Sequence, residues 1–408
     1  MNPVIVIPSY WAKTDEPTQI GEIGVYDHVT PITKPVPELE TCLGSLEKVR
    51  GVLRVIVLLV APSDCEESAR SRVNGICRMH TSLNPIVVGS REASLIREVV
   101  EEAAPRMDGE SIALRGYGAI RNMGLAVASI LGHDVVVFLD DDEVAIDEDF
   151  LINAAYGLGS VTRQGLPIAC KSGVYLNGRG SPYANTEKPA WSERYWSKRI
   201  EFNQWMHRAL SGTRVSRSNI LCGGCFVVAA DAFSRVPFDP TISRGEDLDY
   251  LFNLRMNGFD VWFDNAWRVN HMPPEVPSRA ERFLQNVYRW SYEIEKIKAA
   301  NARVGLRKIS AESLRPYPAC WLTDEAHRRI SLTALRRAIA GPERSTYLRI
   351  FLFEHRRARV WASSVASTYF SFLTHWPRVI STLWDNKLLA KRLLSMATPG
   401  PVNRGERA

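Results

Sequence analysis

Val135-Val136-Val137-Phe138-Leu139-Asp140-Asp141-Asp142-Glu143 places five apolar residues directly before four carboxylic acids. A short continuous apolar run of this kind is the pattern of a strand buried on both faces. The acids after it repel one another, and each must be solvated or neutralised. A divalent cation relieves that crowding, because carboxylate oxygens are the hard ligands preferred by magnesium and manganese. A solvated strand-to-loop turn would account for the same residues without any ligand, so their position in the fold has to decide.

Outward from that stretch the pattern repeats. Val4-Ile5-Val6-Ile7, closed by Pro8, reads as the first buried strand, Leu53 to Val60 as the second and Ile86-Val87-Val88 as another. Between them Leu39, Cys42, Leu43, Leu46 and Val49 recur at helical spacing, as do the apolar positions of Ser94 to Ala104 and Ala119 to Leu131. Strands alternating with helices predict an α/β fold with a mainly parallel sheet. Ligands of such sheets bind beyond the carboxyl ends of the strands. Pro8-Ser9-Tyr10, Ala61 to Asp64 and Asp140 to Glu143 are therefore expected along one rim, and Trp11 to Pro37 reads as a functional loop.

From Phe150 to about Ser218 the pattern weakens into irregular sequence. Phe226-Val227-Val228, a helix from Asp247 to Asn257 and a strand at Val261-Trp262-Phe263 follow. In Arg244-Gly245-Glu246-Asp247-Leu248-Asp249, Asp247 can cap the helix that begins there. His271, after the next strand, can offer an imidazole nitrogen to a metal. Beyond Pro277 the chain reads as a separate helical appendage, rich in arginine and aromatic residues, with a frayed Pro399 to Pro401 tail.

Taken together, these pieces resemble the GT-A glycosyltransferases, especially the family 2-like group. The matching residues are Val4 to Tyr10, Leu39 to Leu46, Arg121-Asn122-Met123-Gly124-Leu125, the acidic strand end, Gly223-Gly224-Cys225-Phe226, and Gly245-Glu246-Asp247 through His271. The resemblance implies a Rossmann-like αβα nucleotide-sugar-binding fold. It implies a catalytic domain over 1–277, with a donor half at 1–143 and an acceptor half at 144–277, and a helical C-terminal region at 278–408. It implies that Asp140 and Asp142 form the DxD pair, with His271 completing a manganese or magnesium site. Pro8, Ser9, Tyr10, Asp64, Arg121, Asp140 and Asp141 would line the nucleotide-sugar donor. Asp247 would be the base that deprotonates an acceptor hydroxyl, with Glu246 beside it, in an inverting transfer.

The sequence departs from this pattern after the second strand. Val60-Ala61-Pro62-Ser63-Asp64 stands where an acidic base-reading turn is usual, and Asp64 is a weak substitute. GT-A enzymes of the mannosylglycerate and glucosyl-3-phosphoglycerate synthase type share a DxD and a late histidine but retain configuration, so a retaining reaction is the alternative. A non-catalytic nucleotide-sugar-binding scaffold is another.

Composition narrows the remaining classes. A net charge of +6 over 408 residues, without a basic tract, argues against a nucleic-acid binder. Seven cysteines without a spacing pattern fit a reducing, cytoplasmic setting, and Cys222-Gly-Gly-Cys225 reads as a tight loop. The amino terminus reads as a first strand rather than a signal peptide, and no apolar run is long enough to span a bilayer. Val360 to Trp376, free of Asp, Glu, Lys and Arg and flanked by arginines, is expected either to lie on the inner face of a membrane carrying a lipid-linked acceptor or to be buried. A twin subunit is a further candidate to cover it. The acceptor is expected to be a saccharide, a lipid-linked sugar or a small molecule.

Overall fold

The computed structural model describes residues 1–14, 29–185, 190–273 and 278–400. Its strands are β1 (Pro3–Ala12), β2 (Thr30–Pro31), β3 (Val55–Val60), β4 (Pro85–Val88), β5 (Val135–Phe138), β6 (Glu143–Ala145), β7 (Cys170–Leu176), β8 (Val215–Arg217), β9 (Phe226–Ala229) and β10 (Trp262–His271). The helices of the first part are α1 (Glu38–Leu46), α2 (Glu66–Met79), α3 (Ser90–Ala103), α4 (Gly118–Ile130), α5 (Phe150–Ala155), α6 (Lys198–Leu210), α7 (Ala230–Phe233) and α8 (Glu246–Met256). Those of the last part are α9 (Arg279–Asn301), α10 (Asp324–Ala340), α11 (Arg344–Arg349), α12 (His355–Val365), α13 (Thr368–Leu383) and α14 (Lys387–Ala397).

The strands form one sheet in the order β4-β3-β1-β5-β9-β7-β10-β6, with β2 beside β1 and β8 beside β10. β4, β3, β1 and β5 run parallel, while β9 is antiparallel to both of its neighbours. After β1 the chain crosses to β3 and β4 on one side and returns to β5 on the other. The carboxyl ends of β1 and β5 thus flank a topological switch point, where open α/β sheets bind ligands.

The apolar runs alternate faces as the strand period requires. Val4, Val6, Val136 and Phe138 enter one core, while Ile5, Ile7, Val135 and Val137 enter the other. The second core is closed by α1, α2, α5 and α6, and the first by α3, α4, α8, α9 and the helices after it.

The expectation of a separate appendage over 278–408 is therefore corrected: the region is helical but shares the first core. Ser278 caps α9, its hydroxyl accepting the Glu281 amide at 3.2 Å. Val287, Trp290 and Ile294 of α9 pack with the sheet-covering helices, and α13 and α14 lie against α3 and α4. The 143/144 division also falls within β6. Of the loop read at Trp11 to Pro37, Trp11 and Ala12 extend β1, Thr30 and Pro31 pair beside them, and 15–28 lie outside the described residues.

Val360 to Trp376 becomes the end of α12, a short link and the start of α13. Tyr369, Phe370, Phe372 and Trp376 are all buried. The Trp376 indole donates to the Phe233 carbonyl at 2.6 Å and the Tyr369 hydroxyl to the Pro237 carbonyl at 3.1 Å. Each buried aromatic contributes about 2–3 kcal/mol, so these four side chains stabilise the packing of the helices on the sheet. Among the described residues no helix is long and apolar enough to cross a membrane.

A charged knot ties α9 to the sheet domain. Lys296, fully buried, reaches Asp239 at 2.6 Å and Asp249 at 2.5 Å. The Tyr292 hydroxyl donates to Asp239 at 2.6 Å and the Asn253 amide to Asp249 at 2.8 Å. Burial, with the charge of Asp249 adding to it, pushes the Glu293 carboxyl well above the usual range. Removing one partner of a buried ion pair typically costs about 3–5 kcal/mol, because the survivors remain desolvated and unpaired. Lys296→Met is predicted to lower unfolding free energy by about that amount in denaturant titration. A change below about 1 kcal/mol would show that the lysine does not compensate the two aspartates.

Candidate active site

The turn after β5 is closed by its own acids. The Glu143 amide donates to the Asp140 carbonyl at 3.1 Å, and the Asp140 amide donates to the Glu143 carboxylate at 3.0 Å. This reverses the chain into β6, which pairs antiparallel with β10 so that Glu143 stands opposite His271. The Met272 amide also donates to the Asp142 carbonyl at 2.9 Å. Cross-strand pairing is what carries a histidine more than a hundred residues later to the acidic turn. The expected strand at Val261 to Phe263 runs on to His271 past an irregularity between Phe263 and Arg268.

One ligand atom from each of Asp142, Glu143 and His271 lies within 4.8 Å of the others, with His271 Nε2 3.5 Å from Asp142 Oδ2. Glu143 is fully buried, and its Oε1 has no hydrogen-bond partner. Burial, then the charges of Asp140 and Asp142, push its carboxyl well above the ordinary range. An orphaned buried carboxylate oxygen beside a second carboxylate and an imidazole nitrogen is a donor set that fits a manganese or magnesium ion.

The remaining acids of the quartet point elsewhere. Asp140, which the resemblance places with the metal, accepts Arg121 Nη2 at 2.7 Å, while the clustered ligand atoms are those of Asp142, Glu143 and His271. Asp141 accepts the Ser9 hydroxyl at 2.6 Å, and Ser9 in turn accepts the Trp11 indole at 2.8 Å. Tyr10 turns into the first core with its hydroxyl on the Gly116 carbonyl at 2.8 Å, and Pro8 is buried within β1. Asp64 is exposed beyond β3, 2.8 Å from Lys13, whose hydrogen bond holds its carboxyl below the usual range.

Arg121, from α4, joins the two acidic clusters. Besides Asp140 it reaches Glu246 at the start of α8, with Nη2 3.2 Å from Oε1. Burial pushes Glu246 up to about 7 against the opposing charge of Arg121, with Asp247 and Asp140 adding to the rise. Asp247 is the more open of the pair, its side chain 30% exposed against 10% for Glu246. Its carboxylate lies 4.0 Å from Arg289 Nη2 of α9, a partner that the sequence reading missed.

Two glycines let these groups meet. Gly245, at φ +71°, leads into α8, and a Cβ there would sit 2.0 Å from the Arg289 guanidinium carbon. A Cβ on Gly224 would lie 2.0 Å from a Glu143 carboxylate oxygen, while the Cβ position of Gly223 faces Arg121, Asp247 and Glu246 within 3.6 Å. The metal-type group and the Glu246-Asp247 pair therefore lie on adjacent residues of one glycine strip. Tyr175 completes it, its ring 4.8 Å from that of His271 and its hydroxyl accepting the Gly224 amide. Cys222 and Cys225 flank the strip as free, buried thiols, and burial pushes Cys222 up to about 12.

Several solved structures are similar to this one. The mannosyltransferase PcManGT from Pyrobaculum calidifontis, in complex with GDP-Man and Mn2+, is 13% identical at a TM-score of 0.47, covering 95% of this chain and 87% of its own. Staphylococcus aureus TarS 1–349 in complex with UDP is 12% identical at 0.38, covering 91% and 92%. Glucosyl-3-phosphoglycerate synthase from Mycobacterium tuberculosis, with Mn2+ and UDP-glucose, is 14% identical at 0.32, covering 68% and 72%. At such scores they lend no residue and no substrate to this chain. No curated protein sequence matches it. The family described as glycosyltransferase like family 2 matches residues 55–293, more than half of the chain and the span from β3 to Glu293 that carries both acidic clusters, and the chain belongs to that family.

Proposed function

We propose that this chain transfers a sugar from a nucleoside-diphosphate sugar to an acceptor hydroxyl with inversion, using a divalent metal held by Asp142, Glu143 and His271. The observation that carries the reading is this group's place at the switch point, on the same glycine strip as Asp247. A manganese or magnesium ion there would supply Lewis-acid neutralisation of the leaving diphosphate. Arg121 keeps Asp140 and Glu246 in register, and Ser9 fixes Asp141 on the donor side of the rim.

Asp247 takes the acceptor proton. As it does so, the acceptor oxygen bonds to the anomeric carbon on the face opposite the diphosphate, and the bond to the diphosphate oxygen breaks with its electron pair. Glu246, held by Arg121, is a positioning residue rather than a second base. The openness of Asp247 favours the inverting reading, since a base must reach a hydroxyl at hydrogen-bond distance.

Two measurements test this. In calorimetric titrations with UDP and GDP, manganese should strengthen binding of one nucleotide to the wild type. Asp142→Ala and Glu143→Gln should remove that gain, leaving binding as weak as in EDTA. An undiminished manganese effect in both variants would refute the ligand set. Asp247→Asn should leave nucleotide affinity within about twofold while sugar transfer, followed over a panel of donors and acceptors, falls by about 10²–10⁴. Full transfer activity in that variant would exclude Asp247 as the base.

A further inference from the structure

Beside Asp247 the fold brings two cations, Arg289 and Lys198, to one tryptophan. Arg289 is 7% exposed, its Nη2 donates to the Gly245 carbonyl at 3.2 Å, and its buried Nε has no hydrogen-bond partner. Its guanidinium lies 4.7 Å from the Trp290 ring centroid, and Lys198 Nζ of α6 lies 5.6 Å from the same centroid and 4.4 Å from that of Trp196. Lys198 donates to the Asn286 side-chain oxygen at 2.9 Å. Among the described residues no carboxylate lies within 4.0 Å of Lys198, and Asp247 alone does so for Arg289.

Neighbouring cations are treated differently. Arg337 is paired with Glu193 at 2.5 Å and Arg329 with Glu201 at 3.0 Å. Burial, then the charges of Arg289, Arg244 and Arg282, push the Lys198 amine well below its usual range. Lys198 and Arg289, held beside the same tryptophan, are each favoured in the charged form when an anion joins them. Cation–π contacts with Trp196 and Trp290 offset only part of the cost of burying these charges.

We propose that Lys198 and Arg289 bind a phosphate group on the acceptor, so that the acceptor of this transferase is a phosphorylated molecule. This rests on the reading of Asp247 as the base. A phosphate monoester carries about −1.5 to −2 charge near neutral pH, more than one carboxylate supplies. Its oxygens suit the fork of an arginine together with the point charge of a lysine. Arg289 touches both Gly245 and Asp247, so a phosphate held there brings the rest of the acceptor to the base.

The test uses the full chain in EDTA, which removes any metal-bridged phosphate site. Calorimetry with glycerol 3-phosphate against glycerol reads a soluble acceptor phosphate. Sedimentation with phosphatidylcholine vesicles, with and without phosphatidic acid, reads a lipid-borne one. The phosphorylated probe should bind in at least one arm, and Lys198→Met and Arg289→Met should each weaken it by about tenfold. Because Arg289 packs on Gly245, the more exposed Lys198 variant guards against a folding defect, and both should keep manganese-dependent nucleotide affinity within about twofold. No preference for the phosphorylated probe in either arm, or binding undiminished in both variants, would overturn the proposal. Failure of the wild type to bind any nucleoside diphosphate with manganese would instead strike the transferase reading, since the anion arms contain neither.

Discussion

Carboxylates crowded at the carboxyl ends of β5 and the glycine strip set the terms for the rest of this structure. Two like charges about 4 Å apart cost about 4 kcal/mol at the effective dielectric of a protein, against a total stability of only about 5–15 kcal/mol. The fold answers in two ways. Arg121 lies between Asp140 and Glu246 and couples the turn after β5 to the start of α8. Asp142 and Glu143 receive an imidazole instead, and one Glu143 oxygen stays without a hydrogen bond. A polypeptide that keeps such an oxygen in its interior has a ligand-shaped deficit there, which a divalent cation would meet.

The last third of the chain belongs to the same account. α9 contributes Arg289 beside Asp247 and Lys296 beneath α8, so the helix carrying the proposed base is fixed from both its exposed and its buried side. The aromatic residues of α12 and α13 close the core over α3 and α4. The helical region is a wall of the sheet domain.

Much of this was legible in the sequence where the signal is local. Val4 to Ile7, Val135 to Phe138 and Phe226 to Val228 are strands because fully buried strands need continuous apolar runs, and Glu246-Asp247 opens a helix as its acidic first turn suggests. What could not be read were the consequences of pairing. Glu143 rather than Asp140 joins His271 because β6 and β10 run antiparallel in one particular register, which no spacing announces. Arg289 and Lys198 are separated by α8 and lie on different helices, so their meeting around Trp290 depends on packing alone. Val360 to Trp376 left two readings open because an apolar helical face looks the same whether it covers a core or a membrane.

The most direct measurement of the central claim is the anomalous scattering of manganese in crystals grown with manganese and a nucleoside diphosphate. The account predicts a peak coordinated by Asp142, Glu143 and His271, with Asp140 still on Arg121. A peak bound by Asp140 and not by Glu143, or none at this rim, would contradict it.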